Sequence, residues 1–276
     1  MRITLLGTGS PLPDPNRAGP STLATADGLC VLIDCGRGVL MRLAAAGVYP
    51  VVLDGLLITH LHSDHICDLG DVITTRWVMS TDPRPLAIYG PAGTQEVVEL
   101  TMRSLARDVR YRIDHHRDLN DPPTVNVREL EPGDSFGVGS AFVRVAATQH
   151  KPVEPTLAFR IECTHASAVL GGDGIPCDTL DQLCSGADAY VQAVIRDDLV
   201  KLVPNARLQD ILNYHSTVEQ AAQTATRAGV GTLVLTHYVP ALQPAQEGEW
   251  RARAAAHFDG TIVIGDDLTA VEIGTS

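Results

Sequence analysis

The sequence predicts an α/β protein, and three observations carry that prediction. Short runs rich in Val, Ile, Leu and Thr alternate with helical apolar periodicity along the whole chain. Gly, Pro and Asp punctuate the joints between them. Two apolar runs, LLITH at 56–60 and LVLTH at 233–237, both end in Thr-His, as though two similar sheet halves fed one place.

Ile3 to Leu6 reads as the first strand, and the next two, Ser21 to Thr25 and Cys30 to Ile33, are joined by the Asp27-Gly28 turn signal. Helical spacing follows over Gly38 to Ala46, Asp68 to Met79 and Ala92 to Arg107. Strands are predicted at Leu86 to Tyr89, Val125 to Glu129, Ala141 to Ala147, Leu157 to Glu162, Ala168 to Leu170 and Ala189 to Val194. The last third adds helices over Thr217 to Ala228 and Glu249 to His257, with strands at Leu233 to Leu235, Thr261 to Ile264 and Val271 to Ile273. No stretch has linker composition, so residues 1–276 are expected to form a single domain.

An apolar fraction of 45% with 20% charged residues excludes a disordered or disulfide-stapled chain. The 33 acidic against 21 basic residues, a net charge of −12, argue against a protein that coats polyanions along its surface. Cys30, Cys35, Cys67, Cys163, Cys177 and Cys184 include no C-x-x-C pair and read as reduced thiols. No window approaches 18 uncharged apolar residues, and MRITLLGTGS lacks the core of a signal peptide. A cytoplasmic protein without a membrane partner is expected.

Chemistry concentrates in HLHSDH at 60–65, which follows the apolar LLIT. Residues i and i+2 face one side only in extended or irregular backbone, so His60 and His62 can share one metal ion while Asp64 and His65 reach a second. The helical pattern resumes at Asp68, which puts the motif on a strand-to-helix loop. FVRVAATQH closes on His150 and SAVLGGD on Asp173, giving further strand ends that present metal-type ligands beside His237. Strand ends held by a rigid sheet are where α/β proteins build sites.

This motif resembles that of the metallo-β-lactamase superfamily, H-x-H-x-D-H, at every position. The resemblance implies a four-layer αββα sandwich, two mixed β-sheets flanked by helices, with two Zn²⁺ per chain. It implies that His60, His62 and His150 hold one ion and Asp64, His65 and His237 the other, with Asp173 between them. It also implies supporting roles for Asp34 and Thr59, since ligating imidazoles need their second nitrogen anchored. Five imidazoles and two carboxylates suit Zn²⁺, and Mn²⁺ or Fe²⁺ would fit the same donors. A pair of ions about 3.5–4 Å apart lowers the pKa of shared water toward ~7, so the implied nucleophile is a metal-bridging hydroxide.

Within the superfamily, LLGTGSPLPDPNRAGPSTL, NYHST at 213–217 and the final LTHY resemble the ribonuclease Z family and its arylsulfatase-like relatives. Ser216 followed by Glu219 reads as a capping box, which places His215 just before a helix N-cap. There a histidine can meet an oxyanion and protonate a departing alkoxide. The resemblance further credits Asp64 with accepting a proton from the attacking water. The implied substrate is a phosphodiester or related anionic ester, with a tRNA precursor among the options, and the implied assembly is a homodimer. The family's tRNA-processing members carry a long arm between the third motif and the bridging aspartate; only 23 positions separate His150 from Asp173, which counts against a large RNA. Arg103, Arg107, Arg110, Arg112 and Arg117 interleave with Asp108 and Asp114 and read as a solvated helix face rather than an RNA grip. The competing enzyme reading is an arylsulfatase-like or lactone/carboxylic-ester hydrolase. The competing reading of another class is a non-catalytic metal-binding scaffold.

Overall fold

In the computed structural model, residues 1–81 and 84–274 are described. Fourteen strands among them form two seven-stranded sheets. The first runs in the order β14-β1-β2-β3-β4-β5-β6: Ala270–Glu272, Arg2–Gly7, Ser21–Ala26, Leu29–Ile33, Gly55–Leu57, Leu86–Gly90 and Val125–Glu129. The second runs β13-β12-β11-β10-β9-β8-β7: Thr261–Val263, Thr232–Val239, Ala189–Ile195, Ala166–Leu170, Val153–Cys163, Ala141–His150 and Ser135–Val138.

Each sheet has antiparallel pairs on one side and parallel pairs on the other. In the first, β14/β1, β1/β2 and β2/β3 are antiparallel and β3/β4, β4/β5 and β5/β6 parallel. In the second, β7/β8, β8/β9 and β9/β10 are antiparallel, and β10/β11, β11/β12 and β12/β13 parallel. The two halves are therefore alike, but not as the LLITH and LVLTH echo suggests. Matching the sheets strand for strand equates β4 with β11 and β12 with β5. The equivalent strand ends are those of β3 and β10, which lead to Asp34 and Asp173.

Helices cover both outer faces. Val39–Ala45 (α1), Ser63–Ile66 (α2), Leu69–Met79 (α3) and Thr94–His115 (α4) follow the strands of the first sheet. Asp178–Cys184 (α5), Asp197–Val200 (α6), Ala206–Gln209 (α7), Val218–Ala228 (α8) and Glu247–Ala255 (α9) follow those of the second. Strand alternation explains the layering. In β3, Val31 and Ile33 enter the core between the sheets, while Leu32 faces Val39 and Leu43 of α1. In β11, Ala189 and Val191 face that same central core, while Tyr190 and Val194 meet α5, α8 and the fully buried Trp250 of α9. This is the four-layer αββα arrangement.

Some elements differ from expectation. The α4 helix runs past Arg107 to His115, because Arg112–Asp108 and Arg110–Asp114 pairs at i,i+4 extend it where apolar periodicity fades. Strand β7, four residues with Phe136 and Val138 turned inward, is too short to stand out from the surrounding glycines. Helix α5 was also not anticipated. His115, His116, His165 and His257 are exposed. All six cysteines are free thiols. Among the described residues, no helix is long and apolar enough to cross a membrane.

Candidate metal centre

The HLHSDH segment spans the loop from β4 into α2. Strand β4 ends at Leu57, so Thr59 and His60 lie just past it, and His62 is the extended residue that caps α2 (φ −64°, ψ 144°). Asp64 and His65 then sit in α2. His150 is the last residue of β8, as its strand pattern predicts. Asp173 follows β10 after Gly171 and Gly172; Gly172 has φ +62°, and a Cβ there would stand 3.1 Å from Thr59. His237 departs from expectation by lying inside β12 rather than at its end. The register there places one extra residue on β12 between the Ala193–Thr236 and Ile195–Val239 pairs, and His237 takes φ +50°. Such a bulge re-aims a side chain that a regular strand would point elsewhere.

These segments converge. His60 Nε2 is 3.0 Å and His150 Nε2 3.3 Å from His62 Nδ1. On the other side His237 Nε2 lies 3.4 Å and His65 Nε2 3.7 Å from Asp64 Oδ2. Asp173 Oδ2 is the hub, 3.4 Å from His65 Nε2, 3.5 Å from His237 Nε2, and 3.9 Å from both His60 Nε2 and His150 Nε2. Among the described residues three overlapping groups able to hold a cation result: His60/His62/His150/Asp173, Asp64/His65/His237 and Asp173/His215/His237.

The chemistry of the donors fits metal ions. Asp64 Oδ2, His65 Nε2, Asp173 Oδ1 and His237 Nε2 are buried with no hydrogen-bond partner, a costly state that a cation relieves in one step. Burial pushes the His150 imidazole down to about 4, holds His60 well below its ordinary value and lowers His62, so these rings keep a free lone pair at neutral pH. Burial alone would lower His65 and His237 too, but Asp173, aided by Asp34 and Asp64 respectively, raises both. Burial would raise Asp173, yet His237 and His65 hold it well below the usual carboxylate range.

Supporting contacts set the rings. Thr59 Oγ1 donates to Asp34 Oδ2 at 2.9 Å and so accepts from His60 Nδ1 at 3.0 Å, leaving His60 Nε2 as the open nitrogen. His65 Nδ1 donates to Asp34 Oδ2 at 2.8 Å, and Thr59 N to Asp34 Oδ1 at 2.8 Å. Asp34 itself adopts φ +57°, a backbone state uncommon outside glycine.

His215 Nε2 lies 3.2 Å from Asp173 Oδ2. Its frame is shifted by one residue from the expected capping box. Thr217, not Ser216, is the N-cap of α8: Gln220 N donates to Thr217 Oγ1 at 3.1 Å, and Thr217 N to Gln220 Oε1 at 2.9 Å. The Ser216 hydroxyl is drawn off to Gly174 O at 2.7 Å, a partner from another loop. His215 thus stands two residues outside the cap, buried against Asp173 and the rings of His150, Tyr214 and His237.

Three contributors escaped sequence reasoning. The Tyr214 carbonyl accepts from His150 Nδ1 at 2.9 Å. Asp267 accepts from Thr8 N at 2.9 Å and Thr8 Oγ1 at 2.8 Å, and the Thr8 carbonyl in turn accepts from Tyr238 N at 3.1 Å, beside the His237 bulge. Gln192 Nε2 donates to Gly172 O at 3.0 Å, holding the turn before Asp173. A carbonyl has no sequence signature. Asp267 had one, a buried-strand neighbourhood at Thr261–Ile264 followed by paired aspartates.

Comparison with known proteins agrees with this geometry. The family model described as "Beta-lactamase superfamily domain" matches residues 30–238. Over 275 residues the chain is 58% identical to a Ribonuclease Z of Mycobacterium avium and 56% identical to one of Mycobacterium bovis, covering 99% of this chain and 98% of each relative. The chain belongs to the ribonuclease Z family. The crystal structure of human tRNase Z, short form, superposes over all of both chains with a TM-score of 0.74 at 25% identity. As a ribonuclease Z family member within the metallo-β-lactamase fold, the chain is a metal-dependent hydrolase of the phosphodiesterase type. These two relatives are matched over 98% of their own length, so the short span between His150 and Asp173 does not set the chain apart from them.

Proposed function

We propose that the chain is a phosphodiester-cleaving endoribonuclease acting on tRNA precursors, with two Zn²⁺ ions per chain. The observation that carries this is the pair of ligand clusters joined at Asp173 Oδ2, together with full-length relatives named Ribonuclease Z. In this reading His60, His62 and His150 would hold one ion and Asp64, His65 and His237 the other, with the Asp173 carboxylate shared between the two groups.

When bound, such ions act as Lewis acids toward the phosphoryl oxygens and make water a nucleophile at neutral pH. The chain supplies the rest. Asp34 and Thr59 fix the orientations of the His60 and His65 rings, so that both open nitrogens face Asp173 Oδ2. Asp64, whose Oδ2 would face the ion, would accept the proton of the attacking water on its other carboxylate oxygen. His215, with Nε2 toward Asp173 and Nδ1 unpartnered, holds a proton for the departing oxygen.

A single domain over 1–276 accords with a central core drawing on residues from Ile3 to Ile273. Six free thiols suit a reducing cytoplasm. A homodimer would cover apolar surface such as Met41, 74% exposed, and Leu202, 77% exposed.

Cleavage of a 3′-extended tRNA precursor, run beside bis(p-nitrophenyl) phosphate, p-nitrophenyl sulfate and a lactone, tests the assignment. Turnover of the two phosphodiesters is expected, and turnover of the lactone alone would reject it. Chelation gives a second check. Where free metal stands a thousandfold above its Kd, binding stabilises the fold by ~4 kcal/mol. At roughly 2–4 °C per kcal/mol, EDTA should then lower Tm by about 8–16 °C, reversibly on adding Zn²⁺. Unchanged melting after complete stripping would mean that the clusters do not hold metal.

A further inference from the structure

Tyr214 precedes His215, and its side chain has no task in the chemistry above. It follows the 3-10 turn Asp210–Asn213, which buries no residue, so the ring has no apolar core to join. It packs instead against two site imidazoles. Its centroid is 5.2 Å from His150, at 80°, and 4.9 Å from His215, at 47°. The ring stays half-buried. Its backbone carbonyl is engaged by His150 Nδ1, and among the described residues no protein group bonds its hydroxyl. Burial, with the charges of Asp210 and Asp173, raises its phenol pKa, so the ring is neutral.

Among the other large aromatics, Phe159, Tyr190, Tyr238 and Trp250 are fully buried and Tyr89 stacks on Phe136. Tyr49, Tyr111 and Phe142 are exposed, but among the described residues Tyr214 is the aromatic outside the imidazoles that packs on a site ring. A neutral, partly open ring beside a phosphodiester-cleaving centre has the properties of a base-stacking platform. Aromatic side chains bind any nucleobase this way, through its π face.

We propose that Tyr214 stacks the base of the nucleotide whose oxygen departs, and so is a specificity-determining residue for base-bearing phosphodiesters. The proposal rests on the phosphodiesterase reading. It names the leaving side because the ring abuts His215, the group that protonates the departing oxygen in that reading, and one ribose joins that oxygen to its base. The nucleotide across the cleaved bond stays joined to phosphorus through a different oxygen, so its base is not tied to the oxygen that His215 protonates.

The test crosses substrate with variant. Tyr214→Phe and Tyr214→Ala are compared with the unaltered protein on a 3′-extended tRNA precursor. The precursor is used intact, with an abasic ribose on the leaving side of the cleaved bond, and with one on the other side. Base removal on the leaving side should lower kcat/KM of the unaltered protein about 5–150-fold, mainly through KM. Tyr214→Phe should show the same sensitivity, and Tyr214→Ala should lose most of it while binding the same amount of metal. The proposal is overturned if Tyr214→Ala stays as sensitive as the unaltered protein. It is equally overturned if Tyr214→Phe behaves like Tyr214→Ala, which would assign the effect to the hydroxyl, or if only the other side responds. A protein that cleaves none of the precursors yet hydrolyses bis(p-nitrophenyl) phosphate overturns the RNA reading and this proposal with it, and one that cleaves neither rejects the phosphodiesterase reading itself.

Discussion

Asp173→Asn should lower kcat/KM on any phosphodiester by about 10³-fold, with bound metal falling in parallel. The side chain keeps its shape, so packing is little changed, but the charge shared by both clusters is gone. Asp173 Oδ2 lies within 4 Å of an Nε2 from each of His60, His65, His150, His215 and His237. Neutralising it removes the electrostatic centre about which those rings are arranged. Lewis-acid stabilisation of a phosphoryl transition state amounts to several kcal/mol, and ~4 kcal/mol corresponds to about 10³ in rate. Kinetics, metal content per chain and circular dichroism on one preparation decide the matter. A folded variant with full activity would remove Asp173 from the centre.

His215→Ala should separate substrates by leaving group. General-acid catalysis contributes about 10²–10⁴-fold when the departing oxygen needs a proton. A ribose alkoxide does, and a nitrophenolate departs readily without one. RNA cleavage should therefore drop by about 10²–10⁴, and hydrolysis of bis(p-nitrophenyl) phosphate should hardly change. An equal loss on both would show that His215 acts by supporting Asp173, to which its Nε2 is bonded at 3.2 Å, rather than as a proton donor.

What could be read in the sequence followed the range over which each signal operates. HLHSDH, the strand closing on His150 and the Gly-Gly before Asp173 are local patterns, and each lies at the strand end that local reasoning gave it, although Asp64 and His65 fall in the short helix α2 rather than in the loop. His237 was legible as a residue but not as a bulge, because its left-handed backbone is imposed by register against β11. The capping frame of α8 moved by one residue because Gly174, more than forty positions away, takes up the Ser216 hydroxyl. The LLITH and LVLTH echo found two contributing strands but mistook their relationship, since strand equivalence is a property of sheet order that no five-residue window contains.

The pairing of β1 with β14 has a consequence for the order of synthesis. The Met1 amine donates to Ile273 O, and Thr8, whose carbonyl holds the Tyr238 amide, is itself held by Asp267. Every ligand residue is translated by position 237, yet the support behind the last of them arrives thirty residues later. A nascent chain would therefore carry a full set of ligands and still be inactive toward the RNA crowded around the ribosome. A chain ending at Gly265 should bind metal weakly and cleave nothing, and a peptide spanning 266–274 should restore both; activity in the truncated chain alone would show that the centre is complete before the ends of the chain meet.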